Sequence, residues 1–223
     1  MAKKIWILCI ALVLGAQAPA LFGEDCNTCH AAKGVRERIP DIPPIRMLVD
    51  GRECSISLAD AFRFHGHSCP GVTTTFRALQ YGIRLLFGNE TPERKDLVVF
   101  SKTPTPGSLD LLDLIMIGET RKERTAAPKG MKGGRENFQY FLYRKSTHTA
   151  VEIRLKPEMY PSDFFDYKKK QSAGELTPEE WDTLHGYMKN IILTFPKESL
   201  ETLFGTPEPY RMIPWGLEPI PAH

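Results

Sequence analysis

The chain has 223 residues, of which 42% are hydrophobic and 25% charged, with 29 Lys and Arg against 27 Asp and Glu for a formal net charge of +2. That composition excludes a disordered tail, a collagenous repeat and a multi-span membrane protein, and the length fits one globular domain or two small ones. Both signs of charge are scattered rather than gathered into a basic block, so the electrostatic footprint of a nucleic-acid-binding protein is missing.

Met1-Ala2-Lys3-Lys4 is a short positive head, followed by the apolar run from Ile5 to Leu14 and then by small residues leading to Ala18, Ala20 and Gly23. This is the three-part layout of a secretory signal peptide over residues 1–23, and it predicts a periplasmic or otherwise exported protein. The apolar run is shorter than the ~20 residues that span a bilayer, so no permanent membrane helix is expected there. Cleavage after Ala20 or after Gly23 removes Lys3, Lys4 and Cys9. The mature chain is then near neutral and keeps Cys26, Cys29, Cys54 and Cys69.

Cys26-Asn27-Thr28-Cys29-His30 is a C-x-x-C-H run, the attachment signature of c-type haem. Two thiols at this spacing add to the porphyrin vinyl groups, and the adjacent His30 presents an imidazole to the iron. Attachment takes place outside the cytoplasm, so leader and motif support one another. The same run also suits a redox dithiol, a structural disulfide or half a zinc site. Zinc would want two more Cys or His ligands at short spacing, and none follows nearby. Residues 24–44 form an arm around this motif, with Gly34, Pro40, Pro43 and Pro44 marking a linker.

Ser57 is an N-cap candidate for a helix through Leu58-Ala59-Asp60-Ala61-Phe62-Arg63-Phe64, which Gly66 ends. A second, largely buried helix is expected from Val72 to Phe87, stopped by Gly88, with Pro70 suited to its first position. Between them lies His65-Gly66-His67-Ser68-Cys69. Cys69 would sit at or just before a helix N-terminus, where exposed amides and the dipole stabilise a thiolate. Two imidazoles and one thiolate supply three ligands for zinc or another transition metal, with the fourth position open. The same trio suits a Cys69 nucleophile activated by His65 and His67, or a buried Cys beside two surface imidazoles. A Cys54–Cys69 disulfide is a further alternative in an oxidising compartment.

Further along, Asp96 to Ser101 reads as a strand, 103–107 as a turn and Ser108 to Ile117 as a buried helix. Lys129 to Gly134 reads as a plain basic surface loop without phosphate-loop spacing. Phe138 to Arg144 and Thr149 to Leu155 fit a hairpin, with His148 solvated at its edge. Thr177-Pro178-Glu179-Glu180 is a capping box opening a helix with Trp181, Leu184, Met188, Ile191 and Ile192 on one face. His185 beside that face reads as a packing residue or, as the lesser alternative, a distal haem ligand. Met212, in a Pro-rich end with no regular pattern, reads as a packed side chain or an axial sulfur.

The run Phe64-His65-Gly66-His67-Ser68-Cys69-Pro70-Gly71 closely resembles the F-H-G-H-x-C-P-G signature of the FmdE family, which takes its name from association with formylmethanofuran dehydrogenase. The helix after it, and the segment from Asp110-Leu111-Leu112-Asp113 to Gly118, are similar to that family's core, so the resemblance spans residues 45–165. It implies an α+β domain of helices packed on a mixed or antiparallel sheet, usually a homodimer, with His65, His67 and Cys69 in a groove that binds metal or acts chemically. Residues 166–223 are then a helical extension and tail. Ser108 stands near where many relatives carry a second Cys, and no Cys follows Cys69 where some carry a zinc finger. With the leader and haem motif, these departures point away from formylmethanofuran chemistry. Three classes remain: an exported electron-transfer protein with one covalent haem c and an unidentified redox partner protein, a metal-binding or delivery module without haem, and an enzyme using Cys69 as nucleophile.

Overall fold

The computed structural model describes residues 38–102, 105–116 and 138–212. The expected leader over residues 1–23, the proposed haem motif at Cys26, Cys29 and His30, the loop at 129–134 and the end of the tail lie outside the described residues. What is described is an α+β fold of helices against antiparallel sheet.

Ile45–Val49 (β1) and Arg52–Ile56 (β2) form an antiparallel hairpin in which Met47 pairs with Cys54. Its turn is Asp50-Gly51, both at positive φ (51° and 73°). Asp-Gly is a pair that tolerates the two left-handed positions of the turn whose twist matches a hairpin. Ile45 and Met47 are buried, and the Leu48 amide donates to the Pro92 carbonyl at 2.8 Å, tying the hairpin to the main body.

The first expected helix is Leu58–His65 (α1). Ser57 Oγ accepts from the Asp60 amide at 3.1 Å while the Asp60 carboxylate accepts from the Ser57 amide at 2.9 Å, so two orphan donors are satisfied reciprocally. Leu58, Ala61 and Phe62 face the core. Gly66 then adopts φ 92°, a conformation that a β-carbon would strain, and reverses the chain.

Pro70–Phe87 (α2) is the central element, with fourteen of its eighteen residues buried. It lies on a four-stranded antiparallel sheet in the order β3-β4-β5-β6, formed by Leu97–Ser101, Gln139–Arg144, Thr149–Arg154 and Tyr210–Arg211. Leu97, Val99, Tyr140, Leu142, Val151 and Ile153 bury one sheet face, while Phe100 on the other is 58% exposed. A β-carbon on Gly82 would stand 2.5 Å from Leu142, so this glycine sets how closely α2 approaches β4. The expected strand, the 138–155 hairpin and the buried helix Pro106–Met116 (α3) are all present.

Phe164–Ala173 (α4), Pro178–Thr194 (α5) and Leu200–Phe204 (α6) complete the fold, and the Thr177–Glu180 capping box is formed. Leu184, Met188, Ile191 and Ile192 of α5 join the same core as α2. One difference from the sequence reading is the tail. Tyr210 and Arg211 pair with Ala150 and Thr149, placing β6 on the edge of β5. Pro207 and Pro209 lack amide hydrogens, so pairing begins only where donors resume, and part of an otherwise open edge is covered. No helix among the described residues is long and apolar enough to cross a membrane.

Candidate metal centre

Local chemistry positions the cluster. The left-handed Gly66 turns the chain sharply after His65, the last residue of α1, and Cys69 is the N-cap of α2 in extended conformation (φ −140°, ψ 135°). Pro70 occupies the first helical position, where no hydrogen-bonding amide is required. The five-residue span His65–Cys69 thus bends back on itself, and the two imidazole centroids approach to 4.3 Å. One ligand atom each from His65, His67 and Cys69 lies within 4.8 Å of the others, the one such group of His, Cys, Asp or Glu among the described residues. Zinc–nitrogen and zinc–sulfur bonds of about 2.1 and 2.3 Å place tetrahedral donors about 3.5 Å apart. Closing the trio around an ion therefore needs movements on the order of 1 Å. His67 and Cys69 are half-buried, and the His65 side chain is 8% exposed.

Beneath this span, α3 supplies the support. His65 Nδ1 lies 2.7 Å from Asp110 Oδ2. A carboxylate only accepts, so Nδ1 carries the proton and Nε2 is left to face the sulfur. This is the carboxylate–histidine arrangement that fixes ring orientation in metal sites. A β-carbon on Gly107 would stand 3.0 Å from Cys69 Sγ, and one on Gly71 would stand 2.7 Å from Thr105 Oγ1 and 3.7 Å from the same sulfur. Two glycines therefore make the slot in which the sulfur sits. Behind it runs a hydroxyl chain: Thr105 Oγ1 to Ser108 Oγ at 2.6 Å, Ser108 to Thr75 at 2.7 Å, and Thr75 to Tyr140 at 2.9 Å. Ser108 is fully buried in that chain.

The electrostatics favour a charged pair when no ion is bound. Burial pushes the Cys69 thiol up. Hydrogen bonds from His65, His67 and the Val72 amide, together with the His65 charge, more than reverse this and bring it down to about 6. His65 is raised to about 9, chiefly by its hydrogen bond to Cys69, against burial and with help from Asp110. A thiolate at this pH is the form that ligates a metal or attacks an electrophile. Lys168 of α4 is also within the field of Cys69. Burial lowers its ammonium and the Cys69 charge acts in the opposite sense.

Of the residues singled out from sequence, the structure brings His65, His67 and Cys69 together. Cys54 and Cys69 are both free thiols, so the disulfide alternative is not formed. His148 is exposed and hydrogen-bonded to the Tyr143 hydroxyl at 2.8 Å. His185 packs against Trp181, ring centroids 4.7 Å apart. Met212 is 45% exposed, not packed, and its amide caps the His148 carbonyl. Sequence reading gave no role in the cluster to Asp110, Gly71, Gly107, Thr105 or Lys168. Acidic Asp110 in a largely apolar helix and a Pro-Gly pair at that helix start were the available signals. A shallow depression of about 470 Å³ lined by Glu152, Arg154, Phe204 and Tyr210 shares no residue with the cluster.

Comparison with protein families gives a match over residues 64–202 to the family described as FmdE, molybdenum formylmethanofuran dehydrogenase operon. That span is more than half of the chain. The protein belongs to the FmdE family. The match opens one residue before His65, so the whole cluster, its Asp110 support and α4 to α6 up to Thr202 fall inside the FmdE region. A comparison with curated proteins finds no match.

Proposed function

We propose that this FmdE-family protein is an exported redox protein with two centres. The core binds one zinc or related transition-metal ion through His65, His67 and Cys69. The N-terminal arm carries one covalent haem c through Cys26 and Cys29, with His30 on the iron. The core assignment rests on one observation, the convergence of three donors within 4.8 Å at the capped start of α2. The arm assignment is supported by sequence alone: a C-x-x-C-H run directly after a secretory leader. A bound ion would supply a Lewis-acidic or redox-active centre with one position free. The chain's own residues do the remainder: Asp110 holds the His65 ring and its tautomer, and Gly71 and Gly107 leave room for the sulfur. Electron exchange with a partner protein and a homodimeric assembly complete the proposal.

Two measurements test it. Expression with the native leader in a host competent for c-type cytochrome assembly should give a mass excess of one haem and a sharp reduced band that survives denaturation. Apoprotein alone, where a control cytochrome matures, refutes the haem assignment. Metal analysis of a Cys29→Ala variant should find the core ion alone, and adding Cys69→Ala should remove it.

The thiolate–imidazolium contact of Cys69 and His65 favours a second reading, Cys69 as a nucleophile. Loss of labelling by a thiol reagent when metal is added favours coordination. Labelling that is indifferent to metal favours the nucleophile.

A further inference from the structure

The arm that carries the C-x-x-C-H run joins the body at a fixed place. The Gln80 side-chain amide of α2 donates to the Pro43 carbonyl at 2.5 Å, and Ile39 and Ile42 pack against the core. There the root of the arm and the first turns of α1 enclose a depression of about 210 Å³. Its lining divides into an apolar part, chiefly Ile39, Ile42, Leu58, Ala59 and Phe62, and two charged residues, Arg38 and Asp41. An apolar ring that carries carboxylates, as haem does, suits that division: the ring edge meets the apolar wall, and exposed Arg38 is a cation able to pair with a propionate.

The apolar wall leads along α1 to the donor trio. Leu58, Phe62 and His65 recur at spacings of four and three, so they share one stripe of the helix. At 1.5 Å per residue, His65 stands about 4.5 Å along the axis from Phe62 and about 10.5 Å from Leu58. The tether favours this place over others. His30 and Arg38 are eight residues apart, a reach of at most about 29 Å, and a short flexible tether holds its cargo at an effective concentration on the order of millimolar. A contact too weak to capture free haem therefore suffices for a tethered one. The larger depression beside β6 is lined by Glu152 and Glu208 against one cation, Arg154, and its two carboxylates disfavour those of haem.

We propose that the haem carried by Cys26 and Cys29 docks one edge in the depression at the arm's root, against Leu58, Ala59 and Phe62 and with a propionate on Arg38. This rests on the haem reading above and deepens it: α1 then carries the haem dock at one end and His65 at the other.

The test uses the full chain matured with its haem, as ferrous protein under carbon monoxide, a diamagnetic state in which the ring current of the porphyrin displaces the NMR signals of nearby methyl groups. The methyls of Leu58, Ala59 and Ile42 should be displaced relative to haem-free Cys26→Ala/Cys29→Ala protein, and the displacement should not change on dilution. Ala59→Glu, at an exposed position of α1, sets a carboxylate against the ring edge and should abolish the displacement at Leu58 and Ile42 with haem content unchanged. Haem-loaded wild type whose Leu58, Ala59 and Ile42 methyls stay where they are in haem-free protein overturns the proposal and leaves the haem reading standing. Displacement that vanishes on dilution also overturns it, since the haem then sits on a second copy. Wild type that acquires no haem removes the haem reading, and this proposal falls with it. Should Ala59→Glu fail to fold, the wild-type signals and their dilution series decide alone.

Discussion

Replacing Asp110 separates support of the metal ligands from ligation itself. Among the described residues the carboxylate makes one hydrogen bond, to His65 Nδ1 at 2.7 Å. Its side chain is 40% exposed while that of His65 is 8% exposed, so water screens one partner and leaves the other dependent on it. A hydrogen bond to a charged group contributes about 1.5–3 kcal/mol, and solvent access on the Asp110 side puts this one in the lower half. Tenfold per 1.4 kcal/mol then gives a loss of about 10–50-fold in metal affinity for Asp110→Ala, within the range of about 10–100-fold for partners that orient a ligating imidazole. Asp110→Asn keeps an acceptor oxygen without the charge and should lose less. Competition against a chromophoric chelator for zinc measures both. Unchanged affinity in Asp110→Ala would refute the argument that this carboxylate orients His65, whereas complete loss of binding would mean that Asp110 is itself a ligand.

Other perturbations probe the rest of the site and its scaffold. In metal-free protein, alkylation of Cys69 should fall off only as the pH drops through about 6, because the thiolate is the reacting form and persists above that value; peptide mapping after iodoacetamide follows it, and a midpoint near about 8.5, the value of a free thiol, would contradict the ion pair. Gly107→Ala places a carbon 3.0 Å from Cys69 Sγ and 2.9 Å from Val72 Cγ2, so zinc affinity should drop with the helix otherwise retained by circular dichroism. Gly82→Ala gains about 1 kcal/mol of helix propensity but meets Leu142 at 2.5 Å, and overpacking of about 1–3 kcal/mol should win, lowering Tm by a few degrees. In a Leu142→Ala background the same change should be neutral or stabilising, and a penalty that persists there would locate the clash elsewhere.

What the sequence made legible was local. The Ser57 and Thr177 capping boxes, Gly66 and Pro70 each act within a few residues, so α1, α2 and the start of α5 stand close to where the pattern puts them. His65, His67 and Cys69 belong to one turn, and their convergence follows from that turn alone. Asp110 is 45 residues from His65, and only the packing of α3 against α1 brings it there. Lys168 stands in a run of three lysines. Its difference from Lys169 and Lys170 comes from helical phase relative to Phe164, which matters only once that ring is buried against Tyr160. The β1–β2 hairpin carries a local signal in Asp50-Gly51, both at positive φ. Strand β6 had none, because two residues pair there only because β5 offers an edge.

The contrast between five consecutive residues and one distant carboxylate has a kinetic consequence. The entropy of closing a loop grows with its length, so gathering His65, His67 and Cys69 around an ion asks little of an unfolded chain, while recruiting Asp110 asks for the tertiary fold. Ion capture and domain folding are therefore separable in time. On the metal reading proposed above, a nascent or partly unfolded chain would hold the ion loosely through the turn, and docking of α3 would then lock the His65 ring and slow release. Dissociation should accordingly track the local undocking of α3 rather than the opening of the sheet, making the residence time of the ion a direct report on one helix.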